Sequence, residues 1–229
     1  MLELIEPYER KNGYMTKYKY LLWDFDGTIA DSRPGIVKTF IETLKSYNIQ
    51  ANDGDLKDVV GPPLLDSFKR LFGFDEKSAF EAVEIYRQKY KEFGLGAISL
   101  YDGVAQLLRD TMAAGYHNLI ATSKLEASAE RLCVRFNIDD CFDGIYGAAE
   151  DGSVLYKNEV IRHALLSLPI SSLGDVLMIG DRWHDLGGAA ENGIDCLGVL
   201  YGYGDIDELA KYNAVFLAKS INELRNYLI

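Results

Sequence analysis

The chain has 229 residues, of which 48% are hydrophobic, so it can bury a sizeable core in one domain or in one domain with a smaller insertion. Acidic residues outnumber basic ones by 35 to 24, and the formal charge of -11 argues against nucleic-acid binding as the main role. The three cysteines lack CxxC spacing, and no run approaches the ~18 apolar residues that span a bilayer. These features predict a cytoplasmic protein that binds neither nucleic acid nor membrane, and they leave its oligomeric state open.

Residues 1–16 mix charged and isolated apolar side chains, and we interpret them as an N-terminal extension without the apolar run of a signal peptide. The first apolar run, Tyr20 to Trp23, ends at Asp24-Phe25-Asp26-Gly27-Thr28, which is typical of a buried strand followed by a polar loop. Because like charges this close destabilise each other, Asp24 and Asp26 indicate a bound cation or a shared proton. Gly27 would let the backbone approach a ligand and offer its N–H. A solvated turn before a helix is the alternative.

The segment from 32 to 94 shows three helical periodicities and no convincing strand. An insertion directly after the first strand would lie over the carboxyl ends of the strands, where α/β sheets bind ligands. We interpret residues 32–94 as a cap and Ser32 as the residue that caps its first helix. Arg33, Lys69 and Arg70 are candidates to meet a second anionic group of a ligand, although solvated charges are the commoner role of such residues.

From Tyr101 onward, short apolar runs alternate with helical patterns. The runs cover residues 118–121, 144–146, 176–179, 196–200 and 215–217. Apolar runs without strict alternation are typical of parallel strands that helices cover on both faces. The sequence therefore predicts an α/β fold, a Rossmann-like doubly wound parallel sheet formed by 17–31 and 95–229, with an inserted all-helical cap domain.

Polar residues follow the predicted strands at two further places. Thr122 and Ser123 come directly after the run 118–121 and could donate hydrogen bonds to an anion, although a helix N-cap is their commoner role. Lys124 follows them, and Lys157 opens a predicted helix. Each lysine taken alone indicates an ordinary surface charge.

Two more carboxylates, Asp181 and Asp185, follow the run that ends at Ile179. Oxygen ligands of this kind suit Mg²⁺, which takes a few carboxylates and keeps several waters. The alternative is a helix N-terminus that attracts acidic residues through its dipole. That alternative does not explain why Asp24 and Asp26 also cluster.

Taken together, these groups resemble the four signature motifs of the haloacid dehalogenase superfamily: Asp24-Phe25-Asp26-Gly27-Thr28, Thr122-Ser123, Lys157, and Gly180-Asp181 with Asp185. The resemblance covers the chain from about Lys17. The small helical cap, Gly61-Pro62-Pro63-Leu64 and Leu200-Tyr201-Gly202-Tyr203-Gly204 are similar to the phosphoglycolate phosphatase-like branch. The acid at Asp26 disfavours dehalogenation, because the dehalogenases of the superfamily lack an acid at that position.

The resemblance implies a magnesium-dependent phosphatase that hydrolyses a small phosphate monoester, phosphoglycolate-like, through an aspartyl phosphate. Asp24 would be the nucleophile, and Asp26 would protonate the leaving oxygen and later activate water. Mg²⁺ would be bound by Asp24, the backbone carbonyl of Asp26 and Asp181, with Asp185 close by or acting through water. The phosphate would be bound by Gly27, Thr122, Ser123 and Lys157.

Other functions share these motifs. A 5'-nucleotidase and a sugar-phosphate phosphatase or mutase would differ mainly in the cap. A non-enzymatic regulatory or binding protein on the same fold belongs to another class, and it would be favoured by loss of a motif residue. Because Asp24, Asp26, Lys157 and Asp181 are all present, we expect an enzyme whose partner is a small phosphate ester.

Overall fold

The structure, a computed structural model, describes residues 17–229, so the predicted extension 1–16 lies outside the described residues. The strands are β1 (Tyr20–Trp23), β2 (Ala30–Asp31), β3 (Ser99–Leu100), β4 (His117–Leu125), β5 (Gly144–Ala148), β6 (Val176–Gly180), β7 (Asp195–Val199) and β8 (Phe216–Ala218). The α-helices are α1 (Arg33–Lys45), α2 (Leu64–Phe72), α3 (Glu76–Lys89), α4 (Val104–Ala113), α5 (Glu126–Phe136), α6 (Lys157–Ser167), α7 (Trp183–Glu191), α8 (Ile206–Leu209) and α9 (Ile221–Leu228). Within this range, no helix combines the length and hydropathy needed to cross a membrane.

Six of the strands form one parallel sheet in the order β5-β4-β1-β6-β7-β8. The central strand β1 has β4 on one side and β6 on the other, with Trp23 opposite both Ile120 and Ile179. The chain order reverses beside β1, and in such sheets this point opens a crevice at the carboxyl ends of the strands. The predicted doubly wound α/β fold is therefore confirmed.

Strand β1 is buried on both faces, which explains its continuous apolar sequence. Leu21 and Trp23 pack in the core on one face, and Tyr20 and Leu22 pack in the core on the other. Burying each of these side chains contributes roughly 1.5–3 kcal/mol. The one polar atom of the Trp23 ring is satisfied, since Nε1 donates to Oδ1 of Asn118 at 3.0 Å. These contacts fix the strand whose end carries the first sequence motif.

The segment 32–94, called the cap below, contains α1, α2 and α3 and no strand, among the residues that the structure describes. The chain enters it through β2 and returns through a π-helix, Tyr90–Gly94, a 3₁₀ turn, Leu95–Ala97, and β3. Strands β2 and β3 pair antiparallel, so the two connections between cap and sheet lie side by side. The domain boundaries themselves stay predictions.

The first helix of the cap is capped differently from the prediction. Ser32 occupies the N-cap position of α1, but its side chain accepts no hydrogen bond from the helix. Instead, the hydroxyl of Tyr203 accepts from the N–H groups of Ser32 at 2.7 Å and Arg33 at 2.9 Å, and it donates to Asp31 at 2.9 Å. The prediction of a Ser32 side-chain cap is therefore wrong, because a tyrosine from a distant loop satisfies these donors.

Candidate active site

Asp24 lies at the carboxyl end of β1 and is held by the neighbouring strand β6 and by the first residue of α6. Its N–H donates to the carbonyl of Ile179 at 2.9 Å, and its Oδ1 accepts from Lys157 Nζ at 2.6 Å. Lys157 is the first residue of α6, and its ammonium also lies 2.9 Å from Asp185 Oδ1 and donates to the Ala121 carbonyl at 2.9 Å. A lysine that is 6% exposed and bound by three oxygens is not a surface charge.

Three carboxylates meet at this point. Asp24, Asp181 and Asp185 are all buried, and each offers an oxygen within 4.8 Å of the others. Asp181 accepts the N–H of Tyr203 at 2.7 Å. Asp185 accepts the N–H of Arg182 at 3.0 Å, which caps α7. The structure thus brings together the first and fourth sequence motifs, and it places Asp185 as close to the cluster as the two predicted ligands.

The electrostatics of this cluster favour a cation. Burial and then the charge of Asp185 raise the pKa of Asp24 to about 6, although the Lys157 ammonium opposes this shift. Burial and the charges of Asp185 and Asp24 hold the pKa of Asp181 well above its usual range. Lys157 loses solvation on burial, but the charges of Asp185 and Asp24 outweigh this and raise its pKa. Close carboxylates with raised pKa values need protons or a cation to balance their charge.

Mg²⁺ fits this donor set. The four carboxylates of the site face two ammonium groups, which leaves two negative charges for a divalent cation; the members are Asp24, Asp26, Asp181 and Asp185 against Lys124 and Lys157. Carboxylate oxygens are the ligands that Mg²⁺ prefers, and it needs only a few of them. The carboxylate of Asp26 lies outside the group of three and is directed to Lys124 at 2.9 Å.

Gly27 serves the site through its lack of a side chain. Its φ of 91° is a left-handed conformation that favours glycine, and a Cβ at this position would overlap the carboxylate of Asp181. Its N–H donates to the carbonyl of Ala30 at 2.8 Å, so this group is already used within the chain. The prediction that Gly27 offers its N–H to the ligand is therefore not supported.

The second motif lies inside a strand rather than after one. Strand β4 continues to Leu125, and the four residues after Ala121 face only two on β5, because Ala121 pairs with Tyr146 and Leu125 with Ala148. This irregularity aims Thr122 and Ser123 into the pocket beside Asp24. The hydroxyl oxygen of Thr122 accepts from the N–H of Lys124 at 3.2 Å, so its proton stays free to donate.

Lys124 belongs to the site, although its sequence context predicted an ordinary surface lysine. Its side chain is only 5% exposed, and its ammonium contacts Asp26 Oδ2 at 2.9 Å and donates to the hydroxyl of Tyr90 at 2.8 Å. The available signal was its position directly after Thr122-Ser123, which places it on β4, the neighbour of the strand that leads into the loop with Asp26.

A pocket of about 280 Å³ opens above these residues, between the sheet and the cap. Its apolar wall comes largely from the cap and includes Ile36, Val59, Leu64, Phe80, Val83 and Leu155. His184 also lines it, and burial lowers the pKa of this imidazole to about 4, so it is neutral at pH 7. Arg33, Lys69 and Arg70, the candidates for a second anion, are not among the lining residues; Arg33 pairs with Asp53 at 2.7 Å.

Each cation that lines the pocket already has an acidic partner. The pairs are Lys124 with Asp26, Lys157 with Asp24, Arg87 with Glu84, Arg182 with Glu208 at 2.6–2.9 Å, and Lys91 with Glu150 at 3.9 Å. A ligand with a second negative group would compete with these carboxylates for their cations. Arg87 Nε is buried and has no hydrogen-bond partner among the described residues. The ion pairs and the apolar wall together favour an uncharged group in the part of the pocket beyond the carboxylate cluster.

Comparison with known proteins gives consistent results. A family model described as haloacid dehalogenase-like hydrolase matches residues 21–199. The chain is 38% identical over 213 residues to a 5'-nucleotidase of Pseudomonas aeruginosa, which covers 93% of this chain and 96% of that protein. It is 40% identical over 212 residues to the tyrosine-protein kinase PtkA of Mycobacterium tuberculosis, which covers 91% of this chain and 72% of that protein.

Among solved structures, a predicted phosphatase from Clostridium acetobutylicum is 38% identical, with a TM-score of 0.88 over 91% of this chain and 97% of that one. The predicted enzyme class, a phosphoric monoester hydrolase, is confirmed by these matches. The family match and the shared fold agree with the resemblance seen in the sequence motifs. The chain therefore belongs to the haloacid dehalogenase-like hydrolase family.

Proposed function

We propose that the protein is a magnesium-dependent phosphatase that hydrolyses a monoester with an uncharged leaving group, in the manner of a 5'-nucleotidase. The nucleophile is the Asp24 carboxylate, which attacks phosphorus and becomes an aspartyl phosphate. Asp26 protonates the leaving oxygen and then accepts a proton from the water that hydrolyses the intermediate. The observation that carries the proposal is the buried cluster of Asp24, Asp181, Asp185 and Lys157 beneath one pocket.

The phosphate is bound at the floor of this pocket. Thr122 donates its free hydroxyl proton, Ser123 lies beside it, and the Lys157 ammonium balances charge on the equatorial oxygens. The hydrogen bonds of Lys157 to Asp24 and to the Ala121 carbonyl keep both groups oriented before substrate binds. Orientation supplied in advance lowers the cost of reaching the transition state.

A bound Mg²⁺ supplies charge neutralisation and Lewis acidity to the phosphoryl group. Asp24 and Asp181 would hold it, together with the Asp26 carbonyl. Asp185 lies close enough to be a direct ligand or to act through water. Its Oδ2 is fixed by the Arg182 N–H and its Oδ1 by Lys157, which orients the group without metal.

Two observations support a nucleoside monophosphate over 2-phosphoglycolate. Every pocket-lining cation already has an acidic partner, so a substrate carboxylate or second phosphate would compete with these acids, although Arg87 Nε has no hydrogen-bond partner among the described residues. The apolar wall instead suits a large uncharged group such as a nucleoside. The relative named 5'-nucleotidase, matched over nearly its whole length, supports the same substrate class.

The test is phosphate release from nucleoside 5'-monophosphates, hexose phosphates, 2-phosphoglycolate and pyrophosphate, with Mg²⁺ or EDTA, by wild type and Asp24→Asn in parallel. We expect release by wild type with Mg²⁺ alone, and kcat/KM at least ~10-fold higher for a nucleoside monophosphate than for phosphoglycolate. Preference for phosphoglycolate or pyrophosphate would refute the substrate class but keep the enzyme class. Phosphate release by Asp24→Asn at the rate of wild type would refute the assignment of Asp24 as the nucleophile.

A further inference from the structure

Lys124 is a buried cation that the mechanism above does not use. Its ammonium contacts three groups from two parts of the chain: Asp26 Oδ2 at 2.9 Å and the face of the adjacent Phe25 ring, whose centroid is 5.9 Å away, and the Tyr90 hydroxyl at 2.8 Å. Its side chain is 5% exposed, although a lysine seldom loses its water without a specific partner. Such burial at the pocket floor needs a functional or structural reason.

The two oxygens of Asp26 differ because of this contact. Oδ2 is held by Lys124, whereas Oδ1 is buried and has no hydrogen-bond partner among the described residues. An ammonium group only donates hydrogen bonds, so Oδ2 must face it as an acceptor. Asp26 lines the pocket, and a proton on its carboxyl group therefore belongs on Oδ1, which has no competing partner among the described residues. Lys124 thus decides which oxygen can exchange a proton with a substrate.

The same ammonium is held by the cap. Tyr90 is the first residue of the π-helix through which the cap returns to the sheet, and it accepts a hydrogen bond from Lys124. Its ring also lies under the ammonium, at 5.0 Å from the centroid, and stacks on Tyr86 at 5.7 Å. Short π-helices inside longer helices occur frequently at functional sites. The position of Lys124 is consequently fixed from the cap as well as from the sheet.

We infer that Lys124 is a positioning residue that holds Asp26 Oδ2, directs the transferable proton to Oδ1, and makes this arrangement depend on the cap through Tyr90. The inference rests on the proposed phosphatase function. In the first step the proton of Oδ1 passes to the ester oxygen as its bond to phosphorus breaks and the bond from Asp24 to phosphorus forms. In the second step Oδ1 takes a proton from water as the water oxygen bonds phosphorus and the bond to Asp24 breaks.

A comparison of leaving groups tests this role. Proton donation matters for a nucleoside 5'-monophosphate, whose alkoxide leaves poorly, and matters little for 4-nitrophenyl phosphate, whose phenolate leaves readily. We expect Lys124→Met to lower kcat on the nucleotide by about 10²-fold and kcat on 4-nitrophenyl phosphate by less than about 5-fold, with little change in either KM. Tyr90→Phe keeps the ion pair of Lys124 and Asp26, and we expect it to lower kcat on the nucleotide by roughly tenfold while kcat on 4-nitrophenyl phosphate stays nearly unchanged.

Two variants serve as matched controls. Lys89→Met removes the neighbouring cap lysine, which donates to the Glu42 carbonyl. Tyr47→Phe removes a buried cap hydroxyl that has no hydrogen-bond partner within residues 17–229. Neither residue lines the pocket, so both variants should hydrolyse both esters as the wild type does. Circular dichroism and thermal melts check that every variant is folded.

The outcomes separate this inference from the proposed function. Equal losses on both esters in folded Lys124→Met or Tyr90→Phe would mean a general structural role and would overturn the inference alone. An unchanged Tyr90→Phe would overturn the link to the cap. No turnover of either ester by wild type would refute the proposed function, and the inference with it.

Discussion

Replacing Asp24 with asparagine removes one charge from the buried carboxylate cluster, and we expect the metal-free variant to be more stable than the metal-free wild type. Burial and the charge of Asp185 raise the pKa of Asp24 from 3.8 to about 6 even though Lys157 opposes this. The raised value means that the ionised carboxylate costs stability in the folded state. Asparagine resembles the protonated acid, and its amide oxygen can still accept from Lys157.

The magnitude follows from the two pKa values. The interval from 3.8 to about 6 spans about two pH units, and each unit is about 1.36 kcal/mol, so the variant should gain about 3 kcal/mol above pH 7. Because the folded-state pKa lies above the unfolded one, wild type loses this stability as pH rises from 3.8 through 6. The difference between variant and wild type should therefore vanish below about pH 4.

Urea denaturation in EDTA at pH 7.5 and pH 4 measures the effect. In a thermal melt, a difference of about 3 kcal/mol corresponds to a shift of roughly 6–12 °C in Tm for a chain of this size. Adding Mg²⁺ should stabilise wild type by mass action, by about 2.7 kcal/mol at 100 times Kd, and so reduce the difference. A variant that is no more stable than wild type in EDTA at pH 7.5 would refute the reasoning about the carboxylate cluster.

Three further variants test other parts of the site. Asp181→Asn should raise the Mg²⁺ concentration needed for half-maximal activity, with partial rescue by excess Mg²⁺ in phosphate-release assays; unchanged Mg²⁺ dependence would count against Asp181 as a ligand. Gly27→Ala should lower the free energy of unfolding by at least about 1–2 kcal/mol in urea, because φ is 91° and its Cβ would meet the Asp181 carboxylate; wild-type stability would contradict this geometry. Tyr203→Phe should cost about 1–3 kcal/mol in the same assay, since the Ser32 N–H loses its acceptor while the Arg33 N–H keeps Asp31 at 3.2 Å; no change would mean that water replaces the hydroxyl fully.

Local patterns were sufficient to predict the sheet and most of the cluster. The run from Tyr20 to Trp23 is apolar at every position because β1 is buried on both faces, and this property is visible in the sequence. The carboxyl ends of parallel strands lie at the same edge of a sheet, so the motifs that follow the neighbouring strands β1 and β6 lie close together. The positions of Asp24 and Asp181 follow from this rule alone.

Contacts between distant segments could not be predicted in this way. Ser32 has the composition of a helix cap, yet the acceptor comes from Tyr203, 171 residues away in sequence. Lys124 resembles a surface lysine because its partner Tyr90 lies in a helix whose packing against the sheet has no local signature. Strand β4 continues for four residues beyond Ala121 through irregular pairing with β5. Because such pairing has no signal in the local sequence, the apolar run predicted a strand that ends at Ala121.

Tyr203 connects two parts of the molecule that the sequence keeps far apart. Its backbone N–H fixes the carboxylate of Asp181, while its hydroxyl holds the start of α1 and Asp31, where the chain enters the cap. The proposed metal site and the start of the cap therefore share one residue, and any free-energy coupling between them acts equally in both directions. If the carboxylate cluster binds Mg²⁺, a spectroscopic probe on the cap would report that binding at a distance, and a ligand that orders the cap would tighten the site.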